Sequence, residues 1–219
     1  MFTAGDRSGL HRDSALYQRI GSTGSDGGTL GHFPGDESFV ISVGQSISVT
    51  GRAFGKTTVL AVHGERVYLG SGDSYEVVVY TPDGALRRVI RKRHKALDVT
   101  PEDVKAYEKN RLEELADENW KRVTRLFAEK MDYPKTMPAY SHMLTDASGN
   151  LWVNEYRRPT EEQPSWTLFD AEGRLLGMIE TPKRVALLEV GADFILGRWT
   201  DEANIEHIGV FPLVKPASR

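Results

Sequence analysis

The stretch closest to phosphate chemistry is Gly-Arg-Ala-Phe-Gly-Lys-Thr-Thr at 51–58. A phosphate-cradling loop places four residues between its glycines, ends in Gly-Lys-Ser/Thr and opens a helix whose N-terminus faces the anion. Here only Arg52, Ala53 and Phe54 separate Gly51 from Gly55, Thr50 stands where the first glycine belongs, and Thr-Thr-Val-Leu-Ala-Val follows. That β-branched run reads as a strand, so the segment is a turn into a strand and not a nucleotide site. His11, His32, His63, His94, His142 and His207 are scattered, with no i,i+4 pair and no His-x-His. Local spacing therefore supports no metal site and no cofactor. No Gly-x-Ser-x-Gly elbow is present, and no catalytic residue is assigned. The basic run Arg87–Lys95 lacks interleaved aromatics in a chain of net charge −3, so it reads as an outer edge strand guarded by cations and not as a nucleic-acid contact.

The bulk composition supports this restraint. The 219 residues are 39% hydrophobic and 27% charged, ordinary for a globular chain with a sizeable core. The absence of cysteine excludes disulfides, thiolate nucleophiles and cysteine-ligated zinc. No apolar run approaches the roughly 20 residues of a spanning helix, so no membrane span is expected. The first residues lack the apolar segment of a signal peptide.

Short β-type runs dominate the chain on both sides of a different middle. Gly and Ser crowd residues 21–31, which reads as a flexible loop. Thr100 ahead of Pro101, Glu102 and Asp103 marks a helix start. Two apolar stripes follow out of phase, Val104-Tyr107-Leu112-Leu115 and Trp120-Val123-Leu126-Phe127-Met131, so two helices or a kink near Asp117 are expected before Pro134. The middle reads as an insertion packed on a sheet edge, with a lid or partner-binding helix as the functional alternative.

An internal repeat organises the strands. Val67-Tyr68-Leu69-Gly70, Leu151-Trp152-Val153-Asn154 and Phe194-Ile195-Leu196-Gly197 superpose, 84 residues apart (67 to 151) and then 43 apart (151 to 194). Tyr80, Phe169 and Phe211 keep nearly the same offsets, and Asp/Gly turns recur at matching places. A period of about 40–45 residues of four short strands marks a propeller blade.

At these residues, and at the Asp146–Val153 pattern D-x-x-G-x-L-W-V, the chain resembles six-bladed β-propellers of the NHL and TolB-like kind, bacterial proteins of unassigned function. The resemblance covers roughly residues 57–214 and implies the C-terminal half of such a ring, in a periplasmic or secreted setting. The expected fold is all-β: a partial β-propeller of four-stranded antiparallel blades with a helical insertion between blades. The divisions expected are N-terminal strands and a Gly/Ser-rich loop over 1–56, a blade over 57–95, the insertion over 96–136, a blade over 137–182, an incomplete blade over 183–214 and a tail over 215–219. Too few blades to close a ring imply a homodimer or a longer chain, and Ala15–Ile20 is a candidate for the missing fourth strand of the last blade.

Within the repeat, Ser71, Glu155 and Arg198 are equivalent, as are Gly72, Tyr156 and Trp199. Positions that vary beside a constant framework are free to face a ligand. Glu155, Tyr156, Arg157, Arg198, Trp199 and Asp73 are therefore the candidate rim of a loop face that recognises a protein, peptide or glycan, making the chain a non-enzymatic binding scaffold. The alternative is a metal-dependent propeller hydrolase of the lactonase type, with Asn154 and Glu155 as possible ligands.

Overall fold

The computed structural model describes residues 8–43 and 46–214. Among these the strands form four antiparallel sheets, each contiguous in the chain. The first holds β1 (Gly9–Ile20), β2 (Asp26–Val43) and β3 (Ser46–Gly51). The second holds β4 (Val59–His63), β5 (Arg66–Gly70), β6 (Glu76–Tyr80) and β7 (Leu86–Arg91). Helices α1 (Pro101–Glu113) and α2 (Glu118–Lys130) come next. The third sheet holds β8 (Tyr140–Thr145), β9 (Leu151–Glu155), β10 (Ser165–Phe169) and β11 (Leu175–Glu180). The last holds β12 (Ala186–Val190), β13 (Phe194–Thr200) and β14 (Glu206–Pro212). The fold is all-β, a partial β-propeller with a helical insertion between its second and third sheets. The three superposed segments are the second strands of their sheets, and the basic run supplies β7 at a sheet edge.

Local chemistry explains the elements. Thr100 and Asp103 form a reciprocal capping box at α1, and Asp117 caps α2 through Asn119 and Trp120 N–H, which sets the break between the helices. Four hairpins share one turn. Asp146, Asp170 and Asp201 each accept backbone N–H groups two and four residues on. Thr81 takes the N–H of Ala85 in the same way. The left-handed position is Gly84, Gly149 or Gly173 in three of these turns and Asn204, at φ 60°, in the fourth.

Packing joins the sheets side by side. Thr145 Oγ1 donates to the Val62 carbonyl at 2.9 Å, tying β8 to β4. A parallel bridge between Asp146 and Val190 ties β8 to β12. One core cluster runs from Tyr68 and Val77 to Tyr140 and Val153, and a second joins Trp152 and Trp166 to Leu187 and Val190. The approach of β5 to β8 needs Gly70: a Cβ there would sit 1.9 Å from the Tyr140 hydroxyl, which donates to the Glu76 carbonyl at 2.6 Å.

The first sheet departs from the expectations. Residues 26–31, read as loop, belong to the 18-residue β2 and pair with β1, because register shifts and positive-φ Gly28 and Gly31 let a glycine-rich strand stay on the ladder. Ala15–Ile20 lies in β1, paired with β2 and not with the last sheet. Phe39 and Ile41 of β2 pack on Phe127 of α2, so the insertion covers a face of this sheet. The last sheet keeps an open face, with Leu188, Ile208 and Val210 between 49% and 68% exposed.

Two stability changes follow from this packing. Gly70→Ala is expected to destabilise the chain by about 1–3 kcal/mol by forcing Tyr140 aside. Trp152→Ala, at 2% exposure between two sheets, is expected to cost about 3–5 kcal/mol. Urea unfolding followed by circular dichroism measures both, and a loss below about 0.5 kcal/mol in either would contradict the packing described.

Candidate functional site

Glu155 ends β9 and is the centre of a polar node between the second and third sheets. Its Oε1 accepts the Tyr75 hydroxyl at 2.7 Å, the Lys92 ammonium at 2.8 Å and the Thr167 hydroxyl. Lys92 also donates to Thr167 Oγ1 at 2.9 Å and lies 4.6 Å from the centre of the Tyr75 ring. Thr167 and Tyr75 are buried, and the Lys92 and Glu155 side chains are 20% and 16% exposed. Burial, with Glu155 beside it, holds the Tyr75 hydroxyl well above the ordinary phenol range. The His94 ring sits 5.6 Å from Tyr75.

Immediately after this node the chain opens into a cleft of about 550 Å³. One wall is the 52–58 turn with Arg52 and Phe54; another is the face of α1 bearing Tyr107, Asn110 and Arg111; the third is the loop of Tyr156, Arg157 and Arg158. The loop is pinned to the helix. Arg158 pairs with buried Asp103 in the first turn of α1 and donates to the Asp98 carbonyl, while Asn110 Nδ2 donates to the Pro159 carbonyl at 3.1 Å. Arg52 is likewise committed to Glu37 at 3.2 Å and to Asp132 at 3.1 Å.

Two guanidiniums in the cleft keep most of their donors. Arg157 gives one N–H to the Glu162 carbonyl, and Arg111 pairs with exposed Glu114 at 3.2 Å, an interaction that solvent makes weak. Burial pushes the Tyr156 hydroxyl up to about 12, and nearby Tyr107 adds to the shift. Burial also raises Tyr107. Both phenols are neutral donors near pH 7. The cleft thus presents cationic and neutral donors over aromatic surface.

Tyr156 and Arg157 line this cleft, and Glu155 lies in the node beside it. Asp73, in the loop before β6, instead accepts Arg12 at 3.0 Å and lies 3.4 Å from Lys56, tying the first sheet to the second. Although burial opposes it, hydrogen bonds from Arg12 and Ser71 and the charges of Arg12 and Lys56 hold the Asp73 carboxyl below its ordinary value. Arg198 pairs with Glu206 on the open face of the last sheet, and Trp199 stacks on His207 at 5.4 Å. Lys92, Tyr75, Thr167, Arg52 and Arg111 escaped the sequence reading. Only Tyr107, Asn110 and Arg111 left a local trace, in spacing that places them on one face of α1. The Gly51–Thr58 turn leads into β4, and among the described residues no three His, Asp or Glu side chains are grouped to hold a metal ion.

No protein-family profile matches the chain, and no curated protein matches it. Among solved structures, a luciferin-regenerating enzyme shares 12% identity at a TM-score of 0.34, over 95% of this chain. The chain spans 62% of that protein's length. A likeness of that size carries no argument about activity.

Lys92→Met strips the ammonium from a half-buried carboxylate, and a loss of about 2–3 kcal/mol in unfolding free energy is expected. A double-mutant cycle with Glu155→Gln checks it: additive effects would dissolve the node. Tyr140 and Tyr156 are both raised, largely by burial, from 10.0 to about 12. Their contribution to stability is therefore whole below pH 10 and is lost as pH rises from 10 through 12. Absorbance of phenolate at 295 nm, followed with unfolding, should show two tyrosines ionising near pH 12; all tyrosines titrating near 10 in the folded chain would contradict the burial.

Proposed function

We propose that this chain is a non-enzymatic binding module of β-propeller type that recognises a protein, peptide or glycan where the β9–β10 loop meets α1. The observation that carries the reading is the arginine-lined cleft: Arg157 and Arg111 hold spare donors above Tyr107, Tyr156 and Phe54, a composition enriched at recognition surfaces. Glu155 positions Tyr156 by anchoring the end of β9. The metal-dependent hydrolase draws less support, because the Lys92 ammonium, 2.8 Å from Glu155, already neutralises that carboxylate and would repel a second cation.

We further propose that the second, third and last sheets are three blades of a six-bladed ring of the NHL and TolB-like kind, completed by the same three sheets of a second copy of the chain. The open face of the last sheet supports this. Its exposed Leu188, Ile208 and Val210 form an apolar flank that the neighbouring blade of the second copy would cover.

Two measurements test these readings. On peptide and glycan arrays the protein is expected to bind a defined set of spots. Arg111→Glu with Arg157→Glu should cut that signal by about tenfold or more at an unchanged melting temperature. An array without signal, or one indifferent to the double charge reversal, would sink the binding module. Sedimentation equilibrium should give twice the 24.5 kDa chain mass, and Ile208→Asp with Val210→Asp should return it to one. A monomeric parent chain would remove the second copy.

A further inference from the structure

A second hollow, of about 370 Å³, lies between the two helices of the insertion. It exists because each helix is anchored elsewhere. On α1, Val104 and Tyr107 pack into a cluster with Phe54 and Met137; on α2, Val123, Leu126 and Phe127 pack on β2. The space left between them is lined by Val123, Phe127 and Met131, and Trp120 stands at its side, 63% exposed. An indole left in water beside an apolar cavity, in a volume within the usual range of ligand sites, marks a surface with an unmet partner.

The charges at the mouth choose the partner. Arg111 and Arg125 both line the hollow. Arg111 is held by the exposed Glu114, and among the described residues Arg125 has no carboxylate within ion-pair distance. Of the two acids in the lining, Glu108 already accepts the Tyr133 hydroxyl at 3.0 Å, and Glu129 is exposed.

We infer that this hollow binds a small amphipathic carboxylate, its apolar body between α1 and α2 and its carboxylate on Arg111 and Arg125. The site goes beyond the recognition cleft. Arg125 and Trp120 line the hollow and not the cleft, whereas Arg157 lines the cleft and not the hollow. A guanidinium pair recognises a carboxylate through parallel N–H donors, and the apolar body supplies affinity in proportion to the area it buries.

Decanoate titrated into the full chain by isothermal calorimetry is expected to bind at one site with a dissociation constant of about a millimolar or tighter. Trp120 emission should shift to the blue, and Trp120→Phe should remove the shift while binding persists. Arg111→Ala with Arg125→Ala should weaken binding by about tenfold or more. Arg157→Ala should leave it unchanged, which separates this site from the cleft. Butyrate and decyltrimethylammonium, each lacking half of the chemistry, should bind at least about tenfold more weakly. Acetyl-Leu-Leu-Leu carries the same chemistry on a peptide end; whichever of it and decanoate binds more tightly identifies the source of the ligand. Failure of both to saturate, equal binding of the cationic amphiphile, or full affinity in the double arginine variant would overturn the inference, because these exposed side chains are not needed for folding.

Discussion

Strands buried on both faces are the constraint on which the rest of this architecture depends. β5 buries four of its five residues and β9 its first three in succession, so neither flank of their sheets can face water there. A sheet of that kind must lie between two others or under some other cover. Stacking the first strands of successive sheets side by side supplies the cover, and the bulky residues of one sheet then fill the flank of the next. Trp152 and Trp166 on Leu187 and Val190 are one such contact; Tyr140 passing over Gly70 is another. The close approach leaves no room for a side chain at Gly70, and so sets the spacing from which the loops are hung.

The ends of the stack meet that constraint differently. On the first sheet, Phe39 and Ile41 lie under α2, which makes the helical insertion a structural cover as well as a wall of the cleft. The last sheet has no such cover over Ile208 and Val210. Between the middle sheets the cover is partly polar. The Lys92–Glu155 pair spends its charge on Tyr75 and Thr167, side chains that would otherwise be buried donors without acceptors. Removing one member strands the others, so the node specifies how two sheets meet as well as holding them together.

The parts legible in the sequence were those with local causes. The strands of the second and third sheets could be read because alternation and Asp/Gly turns recur within a few residues. The capping box at Thr100 and the break at Asp117 were equally local. The first sheet hid because β2 runs through glycines and Pro34 and owes its strand character to pairing with β1, a partner that no short window contains. The node hid for a similar reason: Lys92 and Glu155 are 63 positions apart, and Lys92 sits in a basic run that reads as a solvated edge. Arg111 and Arg52 entered the cleft only once the insertion had folded back over the 52–58 turn.

The division between framework and recognition follows from where hydrogen-bonding capacity is spent. At Asp146, Asp170 and Asp201 one carboxylate oxygen is spent on the turn's own backbone and the other on side chains nearby (Asn150 and Trp152, Arg174, or His207), so these turns repeat with little variation and offer little to a ligand. The β9–β10 loop closes on itself once, with the Arg158 N–H on Glu161 Oε2 and the Glu161 N–H on the Arg158 carbonyl. The arginines of the cleft differ in what holds them: Arg158 gives Nη1 alone to Asp103 and the Asp98 carbonyl, whereas Arg52 commits all three of its nitrogens to Glu37 and Asp132. Arg157 and Arg111 are exposed, and each gives a single nitrogen, to the Glu162 carbonyl and to Glu114. An arginine fixed at both ends of its fork is a strut, whereas one fixed by a single weak bond is a hand. Arg52 is the strut of the cleft, and exposed guanidiniums beside such a fixed wall are the condition under which an intramolecular partner can be exchanged for a ligand without disturbing the fold.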